Sequence, residues 1–168
     1  MQPKVSIIMG SVSDMKVMEK AAKTLDEFEI PFEINALSAH RTPEEVEKFA
    51  RNAHDRGVKV IIAAAGMAAH LSGVVAAMTP LPVIGVPISA TLDGMDSLLA
   101  IVQMPPGIPV ATVGIDAAQN AALLAVQILS VADNELYKRF TEYKSALKSK
   151  IVDANKQLSE IKFKFKVN

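Results

Sequence analysis

The sequence has no cysteine and no tryptophan among its 168 residues, and only two tyrosines. Without cysteine the chain can form neither a disulfide nor a thiolate nucleophile, which suits a cytoplasmic protein. No apolar run reaches the roughly 18 uninterrupted residues that suggest a membrane span. The first ten residues lack the layout of a signal peptide. We therefore expect a cytoplasmic protein without a membrane partner.

Several catalytic motifs are also missing. The chain has no H-E-x-x-H, no cysteine pair and no cluster of histidine and carboxylate residues at ligand spacing, so we expect no metal site. A serine triad would lack its G-x-S-x-G elbow. Flavin binding on a parallel sheet usually uses aromatic stacking, but the chain has no tryptophan and both tyrosines lie in the C-terminal segment, so we expect no flavin.

The charges balance at 18 basic and 18 acidic residues but are unevenly spread. Residues 133–168 carry nine Lys and Arg against five Asp and Glu, which leaves nine against thirteen in residues 1–132. The main body therefore offers no broad basic surface, and we expect no nucleic-acid partner.

Five short apolar runs alternate with helical patterns along the first three quarters of the chain. Strand and helix repeated in this way predict a doubly wound α/β domain, with a parallel five-stranded sheet between two layers of helices. The runs cover residues 4–9, 31–37, 58–65, 82–88 and 109–115, and the helical patterns cover 13–28, 43–56, 69–78 and 93–102.

The C-terminal segment, residues 133–168, has a different pattern. Apolar residues recur at spacings of three and four from Leu136 to Ile161 on a background rich in Lys and Glu. They predict a helix of about 28 residues, roughly 40 Å long. Because that exceeds the breadth of a small domain, we expect part of it to pack on another subunit; the alternative is a helix folded back over its own domain. The tail KFKFKV (162–167) is predicted to be frayed, or else an edge strand in an assembly.

Ligands of open parallel sheets bind at the carboxyl ends of the strands, and the first loop there, residues 10–14, reads GSVSD. Gly10 would let a ligand approach the backbone, while Ser11 and Ser13 could donate to a phosphate at a helix N-terminus. Asp14 could accept from sugar hydroxyls. The alternative is ordinary helix capping by Ser13 or Asp14.

The second loop, residues 38–41, reads SAHR and precedes a helix start with Thr42 as N-cap and Pro43 in the first helical position. His40 is a candidate proton shuttle, since imidazole titrates near neutrality. Arg41 is a natural partner for phosphate. The alternative is a pair of polar loop residues bonded to the backbone.

The third loop, residues 66–70, reads GMAAH and has one polar side chain, that of His70. Small residues suggest that a ligand or another backbone comes very close. A small planar anion or carbon dioxide would suit such a loop; tight packing of helix on sheet is the alternative.

Together these segments resemble the PurE family, in its class I branch of N5-carboxyaminoimidazole ribonucleotide mutases. The likeness rests on GSVSD, SAHRTP, AGMAAHL, LPVIGVPI, GMDSLLAIVQMPPGIPVAT and NAALLAVQIL, in that order along the chain. The resemblance implies a flavodoxin-like sheet and a homo-octamer in which the C-terminal helix reaches across subunits. Residues 1–132 would then be the catalytic domain and 133–168 the segment for assembly.

The resemblance also implies an activity in purine biosynthesis. The carboxylate of a ribonucleotide would leave the exocyclic nitrogen as carbon dioxide and be recaptured at ring carbon C4, without metal, ATP or organic cofactor. His40 would move the proton at C4. Ser11, Asp14 and Arg41 would hold the ribose phosphate with Ser13 beside them, and Ser38, Gly66, His70 and Leu71 would form the carbon dioxide pocket.

Three departures from the family pattern lie around the third loop: Ala64, Met67 and Ser72 stand where Gly, Gly and Pro are common. Two other functions stay open. One is a class II carboxylase acting on aminoimidazole ribonucleotide and carbon dioxide, a branch that lacks the histidine at position 70. The other is a non-catalytic module that binds a nucleotide phosphate. A purely structural oligomer is a third, but it leaves the polar loops without a purpose.

Overall fold

A sheet of five parallel strands forms the centre of the computed structural model, which describes residues 1–167. The strands are β1 (Val5–Met9), β2 (Phe32–Ala36), β3 (Val60–Gly66), β4 (Val83–Ile88) and β5 (Ala111–Thr112). They lie in the order β2-β1-β3-β4-β5, with helices on both faces. The predicted three-layer α/β fold is therefore confirmed, and the strand order is the flavodoxin-like one.

Burial accounts for the apolar runs at the middle of the sheet. Every residue of β1 and β4 is buried, and so is all of β3 except Gly66. Strands covered on both faces need apolar side chains at consecutive positions rather than at alternate ones. β2 lies at an edge and mixes half-buried with exposed residues, which matches its less continuous apolar pattern.

The fifth strand is much shorter than predicted. The apolar run covers residues 109–115, yet the paired strand is Ala111–Thr112. Pro109 has no N–H to donate to a neighbouring strand. On the other side the backbone turns at Asp116, where φ is 54° and the N–H bonds to the Pro87 carbonyl at 2.9 Å.

The four predicted crossover helices are present, each shorter than its sequence pattern. The largest difference is in the second, which ends at Arg51 rather than at residue 56, and turns follow up to Gly57 with a φ of 99°. In residues 1–167 the helices are α1 (Met15–Glu27), α2 (Pro43–Arg51), α3 (Leu71–Met78), α4 (Met95–Val102), α5 (Ala118–Ser130) and α6 (Asn134–Glu160).

The chain divides into two compact units, Met1–Leu129 and a second from Ser130 onward. The second unit consists mainly of α6, whose 27 residues confirm the long C-terminal helix. Its first two turns contain the buried Leu136 and Phe140, whereas most apolar side chains further along are exposed. Residues 162–167 contain a turn and no strand. The assignment of 1–132 to catalysis and 133–168 to assembly stays a prediction.

No helix in residues 1–167 is both long enough and apolar enough to cross a bilayer.

Candidate active site

The nine residues predicted for proton transfer and substrate binding line a single cavity of about 540 Å³. It lies at the carboxyl ends of β1, β2 and β3, where the winding direction of the sheet reverses. Parallel strands bring these loops to one edge although they are far apart in sequence. The nine are Ser11, Ser13, Asp14, Ser38, His40, Arg41, Gly66, His70 and Leu71.

The first loop is held in shape by its own hydroxyl groups. Residues 12–14 form a single 3-10 turn, and the Ser11 hydroxyl caps it by accepting from the Ser13 N–H at 3.3 Å. The Ser13 hydroxyl donates to the same Ser11 oxygen at 2.9 Å. Asp14 stands at the N-cap of α1, but its carboxylate makes no capping bond. Capping of α1 by Ser13 or Asp14 therefore does not explain these side chains.

The Asp14 carboxyl has a raised pKa. Its burial raises the pKa above the usual value, against the opposing effect of hydrogen bonds from Ser11 and Ser13. A half-buried acid can accept a hydrogen bond when ionised and donate one when protonated. This suits recognition of neutral sugar hydroxyls better than direct contact with a phosphate.

The second loop is closed by Thr42 in a way that the sequence did not indicate. Thr42 occupies the N-cap of α2 as predicted, but its hydroxyl makes no capping bond to that helix. Instead it accepts from the Ser38 N–H at 3.0 Å and donates to the Ser38 carbonyl at 3.1 Å. The Arg41 N–H reaches the Ser38 hydroxyl at 3.3 Å. These bonds tie both ends of the loop together and fix the position of His40.

Arg41 connects the second loop to the first. Its guanidinium donates to the Gly10 carbonyl at 2.8 Å. A guanidinium carries five N–H donors, so this bond leaves donors for an anion. A Cβ placed on Gly10 would have no heavy atom within 4 Å, which leaves open space beside the backbone there. The combination of a cation and an accessible backbone fits a phosphate.

The third loop is tightly packed against the strand beside it. A Cβ on Gly66 would lie 3.0 Å from the Ala90 Cβ and 3.3 Å from the Ile88 carbonyl oxygen, so a larger residue would require these neighbours to shift by a few tenths of an ångström. Close packing thus accounts for Gly66 itself. The neighbouring small side chains of Ala65 and Ala68 face the cavity and give it a smooth apolar wall.

Met67 adopts a backbone conformation that favours glycine, with φ at 57°. Replacing it by Gly should stabilise the protein by about 0.5–1 kcal/mol, because the left-handed conformation strains any residue with a Cβ. The loss of side-chain contacts is small because Met67 is 57% exposed. Urea unfolding measures the change. The neighbouring Ala68→Gly variant serves as control and should lose stability; an equal loss in both variants would contradict the strain.

The two histidines of the cavity form a direct contact. Nε2 of His40 lies 2.8 Å from Nδ1 of His70, and the rings meet edge to face at 89° with centroids 4.9 Å apart. His40 follows β2 and His70 follows β3, two strands separated by β1. His70 occupies the N-cap position of α3, but its ring makes no capping bond to that helix. The ring is therefore available for the contact with His40.

One wall of the cavity was not found from the sequence. Ala90, in the loop after β4, also lines it. An alanine carries no chemical signal, but the general rule for parallel sheets includes this loop, since β4 ends at the same edge. The third histidine, His54, lies outside the cavity beside Asp55. In residues 1–167 no group of three metal-ligating side chains is present.

Comparison with known proteins gives a consistent family. The model of the AIR carboxylase family matches residues 4–150. An N5-carboxyaminoimidazole ribonucleotide mutase of Pyrococcus abyssi is 60% identical over 147 residues, covering 87% of this chain and 84% of the relative. The Thermotoga maritima protein of that name is 51% identical over 167 residues, covering 99% and 98%.

A solved structure resembles the whole fold. The crystal structure of Treponema denticola PurE superimposes with a TM-score of 0.84 at 35% identity, over 94% of this chain and 99% of that chain.

Proposed function

The chain belongs to the AIR carboxylase family, and from that premise we propose that it is an N5-carboxyaminoimidazole ribonucleotide mutase working in the three-loop cavity. The Pyrococcus abyssi and Thermotoga maritima relatives, which cover most of its length, carry this name. One observation carries the assignment of the site: a proton-transfer group, a cation and a wall of small residues line the same cavity. The cavity is also large enough for a small ligand.

The reaction moves one carboxylate and one proton. The bond between the exocyclic nitrogen and the carboxyl carbon breaks, carbon dioxide is released, and the nitrogen takes a proton. Ring carbon C4 then attacks carbon dioxide to form the new carbon–carbon bond, and loss of the C4 proton returns its electron pair to the ring. No net proton is consumed, so one group that gives and then takes a proton suffices.

His40 is the residue that we assign to this proton. An imidazole exchanges protons near neutral pH, and it can act as acid in one step and as base in the next. His40 lies in a loop fixed by the Ser38–Thr42 hydrogen bonds. The fixed backbone limits the orientations that the imidazole can adopt toward the substrate.

The ribose phosphate would bind on the side of the first loop. Arg41 supplies the positive charge, and the hydroxyls of Ser11 and Ser13 supply neutral donors. Asp14 would accept from, or donate to, the ribose hydroxyls. Binding energy from this non-reacting end of the substrate can orient the ring at His40.

Carbon dioxide would be held at the opposite wall, formed by Ser38, Gly66, His70 and Leu71. A free intermediate must be recaptured before it diffuses away, which requires a dry pocket of small residues. Leu71 is buried, and the alanines around Gly66 expose no polar side chain. Gly66 packs closely against Ala90 in this wall.

A product assay on EDTA-treated protein without ATP tests the proposed function. We expect rapid conversion of N5-carboxyaminoimidazole ribonucleotide to the 4-carboxylated product, and slow conversion of aminoimidazole ribonucleotide even at high bicarbonate. Efficient use of the second substrate alone would indicate the class II carboxylase. An absence of product from both would indicate a binding module. Activity that EDTA abolishes would contradict independence from metals.

The assembly is a further part of the proposal. We assign the exposed apolar side chains of α6, among them Leu147, Ile151 and Leu158, to a contact with other copies of the chain in a homo-octamer. Eight chains of 18.0 kDa give about 144 kDa. In a cytoplasmic enzyme of this kind the only partners expected are the substrate and these copies.

Light scattering on a size-exclusion column measures the assembly. In the double variant Ile151→Glu, Leu158→Glu, each chain would bury two charges at the contact. The measured mass should therefore fall below that of the octamer. Ser149→Glu, on the opposite face of α6, is the matched control and should leave the mass unchanged. A wild-type protein that elutes as a stable monomer would contradict the assembly.

A further inference from the structure

The contact between His40 and His70 has a consequence for the chemistry, which rests on the proposed function. We infer that His70 is a positioning residue: it accepts a hydrogen bond from Nε2–H of His40 and so leaves Nδ1 of His40 as the nitrogen that exchanges the proton. The 2.8 Å distance and the perpendicular rings fit a direct bond between these two nitrogens.

The direction of the bond follows from the protonation states that His40 must visit. A hydrogen bond between imidazole nitrogens needs a hydrogen on one and a lone pair on the other. With His70 as donor, protonation of His40 would place hydrogens on both facing nitrogens and break the bond. With His40 as donor, the bond persists whether His40 is neutral or protonated. The second arrangement suits a residue that alternates between acid and base.

The backbone that carries each ring is held by hydrogen bonds of its own. His40 lies between Ser38 and Thr42, whose backbone and hydroxyl groups close the second loop. His70 lies at the start of α3, and its backbone N–H bonds to the Ala68 carbonyl at 2.8 Å. A ring anchored at a helix terminus can orient a partner ring as a buried carboxylate orients the histidine of a serine protease.

The proton then follows a closed path. His40 as imidazolium gives its Nδ1 proton to the exocyclic nitrogen while the bond from that nitrogen to the carboxyl carbon breaks. His40 is left neutral, with a lone pair on Nδ1 and the Nε2–H still bonded to His70. After C4 has bonded to carbon dioxide, Nδ1 takes the C4 proton and the electron pair returns to the ring. His70 keeps its own proton on Nε2 throughout.

Two substitutions separate positioning from simple wall packing. His70→Asn keeps an acceptor close to the place of Nδ1, whereas His70→Leu keeps bulk without an acceptor. We expect kcat within about tenfold of wild type for Asn, and a loss of about 100–1000-fold for Leu, inside the range by which general acid–base groups act. KM should stay within about threefold in both variants, because the phosphate contacts are untouched. His54→Asn, outside the cavity, should change neither constant.

Two readouts besides turnover complete the test. Nitrogen NMR of the imidazole rings should show a single Nε2–H tautomer for His40 in wild type and in His70→Asn, and a mixture in His70→Leu. The chain has three histidines, so His54 serves as internal reference. Release of aminoimidazole ribonucleotide should remain low in every variant if His70 acts through His40.

Several results would overturn the inference. Equal losses of kcat in both His70 variants, or unchanged kcat with increased release of aminoimidazole ribonucleotide in His70→Leu, would make His70 a wall of the pocket alone. A hydrogen on Nδ1 of neutral His40 would reverse the donor. If wild type does not convert the substrate, the proposed function fails, and the NMR measurement still decides the direction of the bond.

Discussion

Replacing His40 with Asn should lower kcat by about 10²–10⁴-fold, the range that a general acid–base group contributes. An asparagine amide can hydrogen-bond where Nδ1 stood, but it cannot give and retake a proton near neutral pH. Because the proposal assigns phosphate binding to Arg41 and the first loop, KM should change by no more than about threefold. Steady-state kinetics with N5-carboxyaminoimidazole ribonucleotide measures both constants.

His54→Asn is the control for this experiment, since it makes the same exchange at an exposed histidine outside the cavity. It should keep wild-type activity. A binding module would lose nothing when His40 is replaced. Retention of more than about a tenth of wild-type kcat in His40→Asn would therefore contradict the proton-transfer role.

The second large effect concerns Arg41. Removing the guanidinium in Arg41→Gln should lower kcat/KM by about 10–150-fold, because a hydrogen bond to a charged group contributes about 1.5–3 kcal/mol. The loss should come mainly from KM, since the phosphate does not react. Arg41→Lys keeps the charge without the forked donors and should fall between wild type and Gln.

Arg41 also bonds to the Gly10 carbonyl, so its replacement could act by loosening the first loop. The ribonucleoside that lacks the phosphate separates the two effects. If Arg41 binds phosphate, Arg41→Gln should lose activity toward the nucleotide and keep the low wild-type activity toward the nucleoside. Equal losses for both substrates would assign Arg41 to the bond with Gly10.

Much of the fold could be predicted because burial leaves a direct trace in sequence. β1, β3 and β4 are covered on both faces, so their residues are apolar at consecutive positions and the strands are recognised at once. The predicted length of β5 was too great, because an apolar run shows which residues can be buried but not which of them pair with a neighbouring strand. In that run Pro109 and the turn at Asp116 restrict pairing to two residues.

The polar contacts were less predictable, since they depend on groups that only tertiary structure brings together. Thr42 has the sequence of a helix cap, yet its hydroxyl bonds to Ser38 four residues earlier. Either choice satisfies the hydroxyl, and the shape of the loop decides between them. Likewise, the sequence places His40 and His70 at one edge of the sheet, but with β1 between their strands it does not predict a 2.8 Å contact.

Met67 shows a case in which a signal was present. The sequence differs there from a common glycine of the family, and the structure gives this position a positive φ. A non-glycine residue at a position where glycine is common in the family is thus a guide to strained backbone, although the φ value itself comes only from the structure.

The central claim is that a carboxylate is released and recaptured within one cavity, and isotope retention tests it most directly. N5-carboxyaminoimidazole ribonucleotide labelled with ¹³C in its carboxylate would be converted in unlabelled bicarbonate buffer, and the label in the 4-carboxylated product would be measured by mass spectrometry. The account predicts that most of the label is retained at early times. A product with the isotope content of the buffer would show that carbon dioxide enters from solution, which would contradict the mutase.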